Sequence, residues 1–283
     1  MSRSIPAPFP TRNDSIFETL DLFIIATPDQ LAVADLAPFG VPIRWHIDPT
    51  RLASQTFLDI LQRLDGITFG PTGMPMDKWV FYDCAELAGF IVGFAIELSA
   101  MSPDERRYLD VRDDYAGPVP LSMYIAIPMR EPGAWFGHNL ASLGRQLAGR
   151  NLAHLGTLTK VMALKAMRAV RNVGVTQWPS PALHIHTKFG PLDLVTAWTP
   201  VHSFPASLTY SFPVDDLSLR AAAGDPVNAL PRAAPTRTLV VDDTNLKVLQ
   251  RDIEAGARWR LLGPPKVVTT DGQDQRLAPL GPG

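Results

Sequence analysis

Between Trp79 and Leu98 the chain reads WVFYDCAELAGFIVGFAIEL, its most apolar segment, yet Asp83, Glu86, Glu97 and two glycines interrupt it. A helix that crosses a bilayer needs about 20 nearly uncharged residues. This segment is therefore expected to fold as two buried strands joined by a short polar turn, a hairpin. Gly89 and Gly93 within it are positions where a neighbouring strand or a cofactor can approach closely. The length of 283 residues and 46% apolar content suffice to bury a sizeable core around such a hairpin.

Other elements follow from periodicity. Leu52, Phe57, Leu58, Leu61 and Leu64 recur at helical spacing, with Pro49 and Thr50 at the start and Gly66 at the end. After the charged stretch SPDERRYLDVRDDYAG comes a strand, PLSMYIAIPM, which is expected to end at REPGAWFGHN. Helix is expected over 139–152, broken at Gly149, and again from Thr157 to Arg171, with Leu158, Val161, Met162, Leu164 and Met167 inward. The segment ALHIHTKFGPLDLVTAWTPVHSFPASLTYSFPV reads as mostly extended.

The expected fold is α/β (α+β), with a mixed, mainly antiparallel central sheet flanked by helices and a C-terminal strand–helix appendage. Residues 1–14 read as a flexible arm and 15–214 as the main domain. The Ala/Pro-rich stretch 215–237 reads as a linker. Residues 238–283 supply a strand, TLVVDD, a helix capped by Thr244 and ended by Gly256, and a loose tail.

Charge is distributed unevenly. The net charge is only −2, but residues 132–192 contain no Asp or Glu at all. At the chain's own frequency, about six acids are expected in a stretch of that length. The same window holds Arg145, Arg150, Lys160, Lys165, Arg168, Arg171 and Lys188, and four of the six histidines. Within it, RNLAHLGTLTK places a basic, glycine-bearing loop before a helix. Backbone amides at a helix start attract anions. Arg150, Asn151, His154, Gly156, Thr157, Thr159 and Lys160 are the candidate ligands, and a solvated basic helix is the alternative.

Further chemistry is sparse. His184 and His186, two apart on an expected strand, would share one face, and His202 follows; with no carboxylate or cysteine beside them, no metal is expected. The single cysteine, Cys84, lies among apolar neighbours and reads as a small buried hydrophobe. It excludes an internal disulfide and points to a reducing, cytoplasmic setting. Aromatics do not alternate with the basic residues, so no nucleic-acid partner is expected. No nucleophile elbow, Walker loop or dinucleotide fingerprint occurs.

The order of an amphipathic helix, the hairpin WVFYDCAELAGFIVGFAI, the strand SMYIAIPM and then GRNLAHLGTLTKVMALKAM resembles the GNAT N-acetyltransferase superfamily over about residues 50–200. The resemblance implies an acyl-CoA-dependent N-acyltransferase. Its basic loop would hold the pyrophosphate of acetyl-CoA or another acyl-CoA. His186, in PALHIHTKFG, falls where the family often has its tyrosine acid, and Glu97 or Asp83 would be the base. A homodimer is a further expectation. The competing reading is a non-enzymatic α/β binding or assembly protein that uses the basic face for a small anionic ligand or a partner.

Overall fold

A computed structural model describes residues 10–29, 43–87, 90–144, 146–147, 149–225, 233–270 and 272–283. The chain divides into two compact units, Met1–Ala169 and Val170–Gly283.

In the first unit, β1 (Asp21–Ile25) pairs in parallel with β2 (Ile43–Ile47) and antiparallel with β3 (Phe90–Glu97). Along the other edge of β3 run, in succession, β4 (Pro118–Pro120) and β5 (Ser122–Pro128), and β5 pairs antiparallel with β6 (Ala134–Ser142). The sheet is thus mixed but mainly antiparallel, as expected. Every residue of β3 from Phe90 to Ile96 is buried, as a central strand covered on both faces requires.

Among the described residues five α-helices belong to this unit: α1 (Ser15–Thr19), α2 (Gln55–Phe69), α3 (Lys78–Leu87), α4 (Pro103–Tyr108) and α5 (Leu155–Ala166). In α2 the predicted residues Phe57, Leu58, Leu61 and Leu64 are buried, while Leu52 lies ahead of the helix and is exposed. The helix continues through Gly66 to Phe69, because the packing of its buried face outweighs a glycine cost of about 1 kcal/mol.

The expected hairpin is half strand. Its second arm is β3, but its first is α3. Aromatic and β-branched residues suggested a strand there. Helical spacing instead places Phe81 and Cys84 on one buried face, while Tyr82 bonds Gln55 and Lys78 pairs with Asp59, both on α2. Cys84 is buried as expected, and its thiol is pushed up by burial and by Asp83. Gly89 lies outside the described residues.

The second unit is antiparallel throughout its pairings. Its order is β7 (Arg171–Gln177), β9 (Ser207–Pro213), β8 (Leu192–Thr196), β11 (Trp259–Leu261), β13 (Gln273–Pro282) and β10 (Arg237–Val240), and β12 (Lys266–Thr270) also pairs with β13. Its helices are α6 (Leu183–His186), α7 (Asp216–Ala223) and α8 (Asp243–Glu254).

Several expectations change here. The stretch read as a linker holds α7, which starts in a capping box between Asp215 and Ser218 and stops at Gly224, φ 95°. The strand and helix expected after 237 are present, but Asp242, not Thr244, caps α8 by accepting from the Asn245 amide at 2.8 Å. The supposed loose tail is β13. Buried Ala278 and Leu280 on either side of the half-buried Pro279 mark it as a half-buried strand. Among the described residues no helix is long and apolar enough to cross a membrane.

Candidate functional site

The acid-free window begins on a strand. Residues 139–142, expected as helix, complete β6, whose register against β5 slips by one residue: Ile125 faces Asn139 but Ala126 faces Gly137. His138 is the extra residue of this β-bulge, a device that re-aims side chains at sites. Gly137 is needed beside it, since a Cβ there would strike the Tyr124 hydroxyl and lie 2.9 Å from Cζ.

From Ser142 the chain enters a turn-rich loop. Gly149, φ 92°, takes a conformation open to glycine, which is why helix does not span this stretch. Three side chains fix the loop's far end. Arg150 is held by Glu105 of α4 through two hydrogen bonds, one of them 2.7 Å, and also donates to the Ala100 carbonyl at 2.6 Å. Beside Arg150, the Glu105 carboxyl stays below the usual carboxylate range. Asn13, itself buried, donates to the carbonyls of Asn151 and Ala153 at 3.0 and 2.9 Å, and the Asn151 amide reaches Ser15 at 3.2 Å. Residues 10–14, part of the expected flexible arm, thus include a buried clamp; residues 1–9 lie outside the described residues.

His154 then turns the chain into α5 with φ 68°, a left-handed conformation uncommon for a residue with a Cβ, and supplies no side-chain cap. The helix packs on β3, β5 and β6 and is buried at every position but Lys165. The inward set of Leu158, Val161, Met162, Leu164 and Met167 is buried as predicted.

The polar candidates divide by exposure. Asn151 and His154 are exposed, whereas Gly156, Thr157, Thr159 and Lys160 are buried. Thr159 donates back to the Leu155 carbonyl or to the Ser122 hydroxyl, each 2.7 Å away. Lys160 is 1% exposed, with its ammonium 5.6 Å from the centre of the Tyr124 ring, and burial holds its amine well below the ordinary lysine range. Seven residues of one loop and helix are therefore brought together, two as solvent-facing groups and five as anchoring or buried ones. Arg145 lies outside the described residues.

The expected acid and base have other surroundings. Glu97, at the exposed end of β3, pairs with Arg44, which also holds Asp21 and stacks 4.7 Å over the Trp45 ring. His186 belongs to the second unit, where it is buried and lies 5.0 Å from the Tyr210 ring. His184 and His186 stand on α6 rather than on a strand, so they do not share the face that alternation would have given them. Among the described residues no group of three or more His, Cys, Asp or Glu is placed to hold a metal.

One cluster escaped sequence reasoning. Asp65 of α2 is fully buried; it accepts from the Met76 amide at 2.6 Å and from Asn139 Nδ2 at 2.7 Å. Burial pushes its carboxyl up, against the two donors. The available signal was an acid at the i+4 position from Leu61, on the apolar face of a clear amphipathic helix.

No protein-family model and no curated protein sequence matches the chain. Solved structures similar to it include the aminoglycoside 6'-N-acetyltransferase from Enterococcus faecium, at 11% identity and a TM-score of 0.39, covering 59% of this chain and 93% of that one. The NatC complex bound to Gag peptide and CoA is similar at 12% identity and a TM-score of 0.39, covering 59% and 97%. An acetyltransferase from Streptococcus agalactiae is similar at 11% identity and a TM-score of 0.32, covering 56% and 92%.

Proposed function

We propose that the chain is an acyl-CoA-dependent N-acyltransferase-like protein, with the phosphates of acetyl-CoA or another acyl-CoA held where the loop after β6 meets α5. The observation that carries this reading is the anchored loop itself. Its carbonyls at 151 and 153 are occupied by Asn13, and it feeds directly into a helix that lacks a side-chain cap. The dipole of a helix gives its start a positive potential that favours anions. In this reading phosphate is bound at the start of α5, beside Gly156 and Thr157, and Asn151 and His154 add solvent-facing polar groups. Arg150, Thr159 and Lys160 hold the loop and helix in place.

The reaction balances simply. A base takes a proton from an amine, the amine nitrogen attacks the thioester carbonyl, and the carbon–sulfur bond breaks. The released thiolate takes a proton from an acid. Within the first unit Glu97 as base is the assignment to test, by Glu97→Gln; His186, which belongs to the second unit, is tested on its own by His186→Ala. The pairing of Glu97 with Arg44 favours the second reading, a binding protein without catalysis.

The deciding experiment is titration with acetyl-CoA by calorimetry, paired with thiol release in the presence of an aminoglycoside or a peptide with a free α-amine. A ligand at 100 times its Kd raises apparent stability by about 2.7 kcal/mol. Absence of both heat and thermal shift at millimolar acetyl-CoA ends the acyl-CoA reading; binding without thiol release selects the non-enzymatic one.

A further inference from the structure

Residues 266–270 read KVVTT, β-branched at every position after the lysine, and Asp271 and Gly272 follow, a pair that favours a tight hairpin turn. The ribbon forms accordingly. β12 pairs with β13 without a slip, from Lys266 opposite Leu277 to Thr270 opposite Gln273, and Gly272 has φ 74°. Its exposure is unusual. Lys266, Val267, Val268 and Thr269 are all exposed, as are Gln273, Asp274 and Gln275 on the paired strand. Successive residues of a strand point to opposite faces, so solvent reaches both faces of the ribbon. Val267 and Val268 are 55% and 41% exposed. Among the described residues β13 is the one partner of β12, whose other edge is open.

An open edge with no proline, no bulge and no charge at its centre is a template for another strand. The chemistry of β12 selects which one. Antiparallel pairing with a second copy of itself, about a two-fold axis at Val268, sets Val268 against Val268 on one face. On the other face Val267 lies opposite Thr269 of the second copy. With β13 included, a row across both ribbons reads Arg276 and Val267, then Thr269 and Asp274 of the second copy; the adjacent row is its reverse. Each row therefore carries a base at one end and an acid at the other. The two copies of Val267 become diagonal neighbours, close enough for side-chain contact. Lys266 falls opposite position 270, so no like charges meet. We infer that β12 is a self-complementary interface at which two copies of this chain join their ribbons into a single antiparallel sheet. The strand is 5 residues long, so the shared area is small and the dimer comes apart on dilution. Nothing in this inference depends on acyl transfer.

Sedimentation of the full chain over about 1 to 100 μM should show monomer passing into dimer. Val268→Lys sets two ammonium groups face to face, and Val268→Glu two carboxylates. Each variant alone should weaken the dimer by about tenfold or more, and an equal mixture of the two should restore it. The position is exposed, so neither change threatens the fold. Hydrogen exchange over residues 266–270 should slow as the wild-type concentration rises, and should stay constant in Val268→Lys. A chain that is monomeric throughout the range overturns the inference and leaves the edge to a different partner. A dimer that both variants leave intact places its interface elsewhere and overturns the inference as well. Variants that dissociate singly but do not recover on mixing overturn the two-fold register at Val268.

Discussion

Gly93 and Ser122 approach so closely that a Cβ on the glycine would collide with the serine carbonyl oxygen. The same Cβ would lie 2.7 Å from Cε1 of Phe23. This is the point where the partner of β3 changes from β5 to β4, and where the Ser122 hydroxyl accepts from the Phe94 amide at 3.2 Å. Gly93→Ala is expected to lower stability by about 2–4 kcal/mol and Gly93→Val by more, since backbone must move to admit either. Denaturant melts check this; a wild-type midpoint for the valine variant would remove the case for close approach.

Arg150→Ala separates an anchoring role from a ligand-binding one. Glu105 has a folded pKa below its unfolded value of about 4.3. Its pair with Arg150 therefore stabilises the fold above that pH, and the contribution is lost as pH falls through the folded value. At pH 7 the variant should be less stable by about 1–3 kcal/mol, and the gap to wild type should close in acid. Chemical denaturation from pH 3 to pH 7 reads this directly. A gap that does not change with pH would dissociate the effect from Glu105.

His154 tests the turn into α5. With φ at 68°, the histidine holds a conformation that glycine adopts without penalty. His154→Gly should leave stability unchanged or raise it by up to about 1 kcal/mol, whereas His154→Val should lower it by about 1–2 kcal/mol. Equal melting points for the two variants would mean that the turn relaxes out of the left-handed region.

The buried hydroxyl pair of Thr159 and Ser122 gives a fourth test. Thr159→Val keeps the shape but removes the bond of 2.7 Å. The expected loss is about 1–2 kcal/mol, because Ser122 keeps its bond from the Phe94 amide. Thr159→Ser should recover most of it. Thermal melts of the two variants side by side decide the matter, and a serine variant as damaged as valine would point to packing rather than the hydroxyl.

Periodicity made the core of α2 legible, because burial around Leu61 leaves a helical repeat, while β3 and α5 showed as apolar runs around Val92 and Val161. It misled at α3, where KWVFYDCAEL carries strand-forming residues yet packs at helical spacing against α2. It misled again at α6 and β13, where short elements hold their form through neighbours distant in sequence. The loop and helix of the candidate site were visible as a glycine-bearing basic stretch without acids. Their anchors were not, because Glu105, Asn13 and Asp65 are scattered through other elements and no local pattern ties them to residue 150 or residue 139. The empty window was thus read as a surplus of positive charge, while Glu105 reaches in from another helix to meet Arg150.

The pairing of β13 sets an order of events during synthesis. Strands β10, β11 and β12 all find a partner in β13, which leaves the ribosome after every one of them. At translation rates of about 5–20 residues per second, β10 waits roughly 2–8 seconds with an unpaired edge before residues 273–282 arrive. The first unit has by then been complete for more than a hundred codons. The nascent second unit is thus the stretch in which a β edge stays open to other chains until β13 arrives.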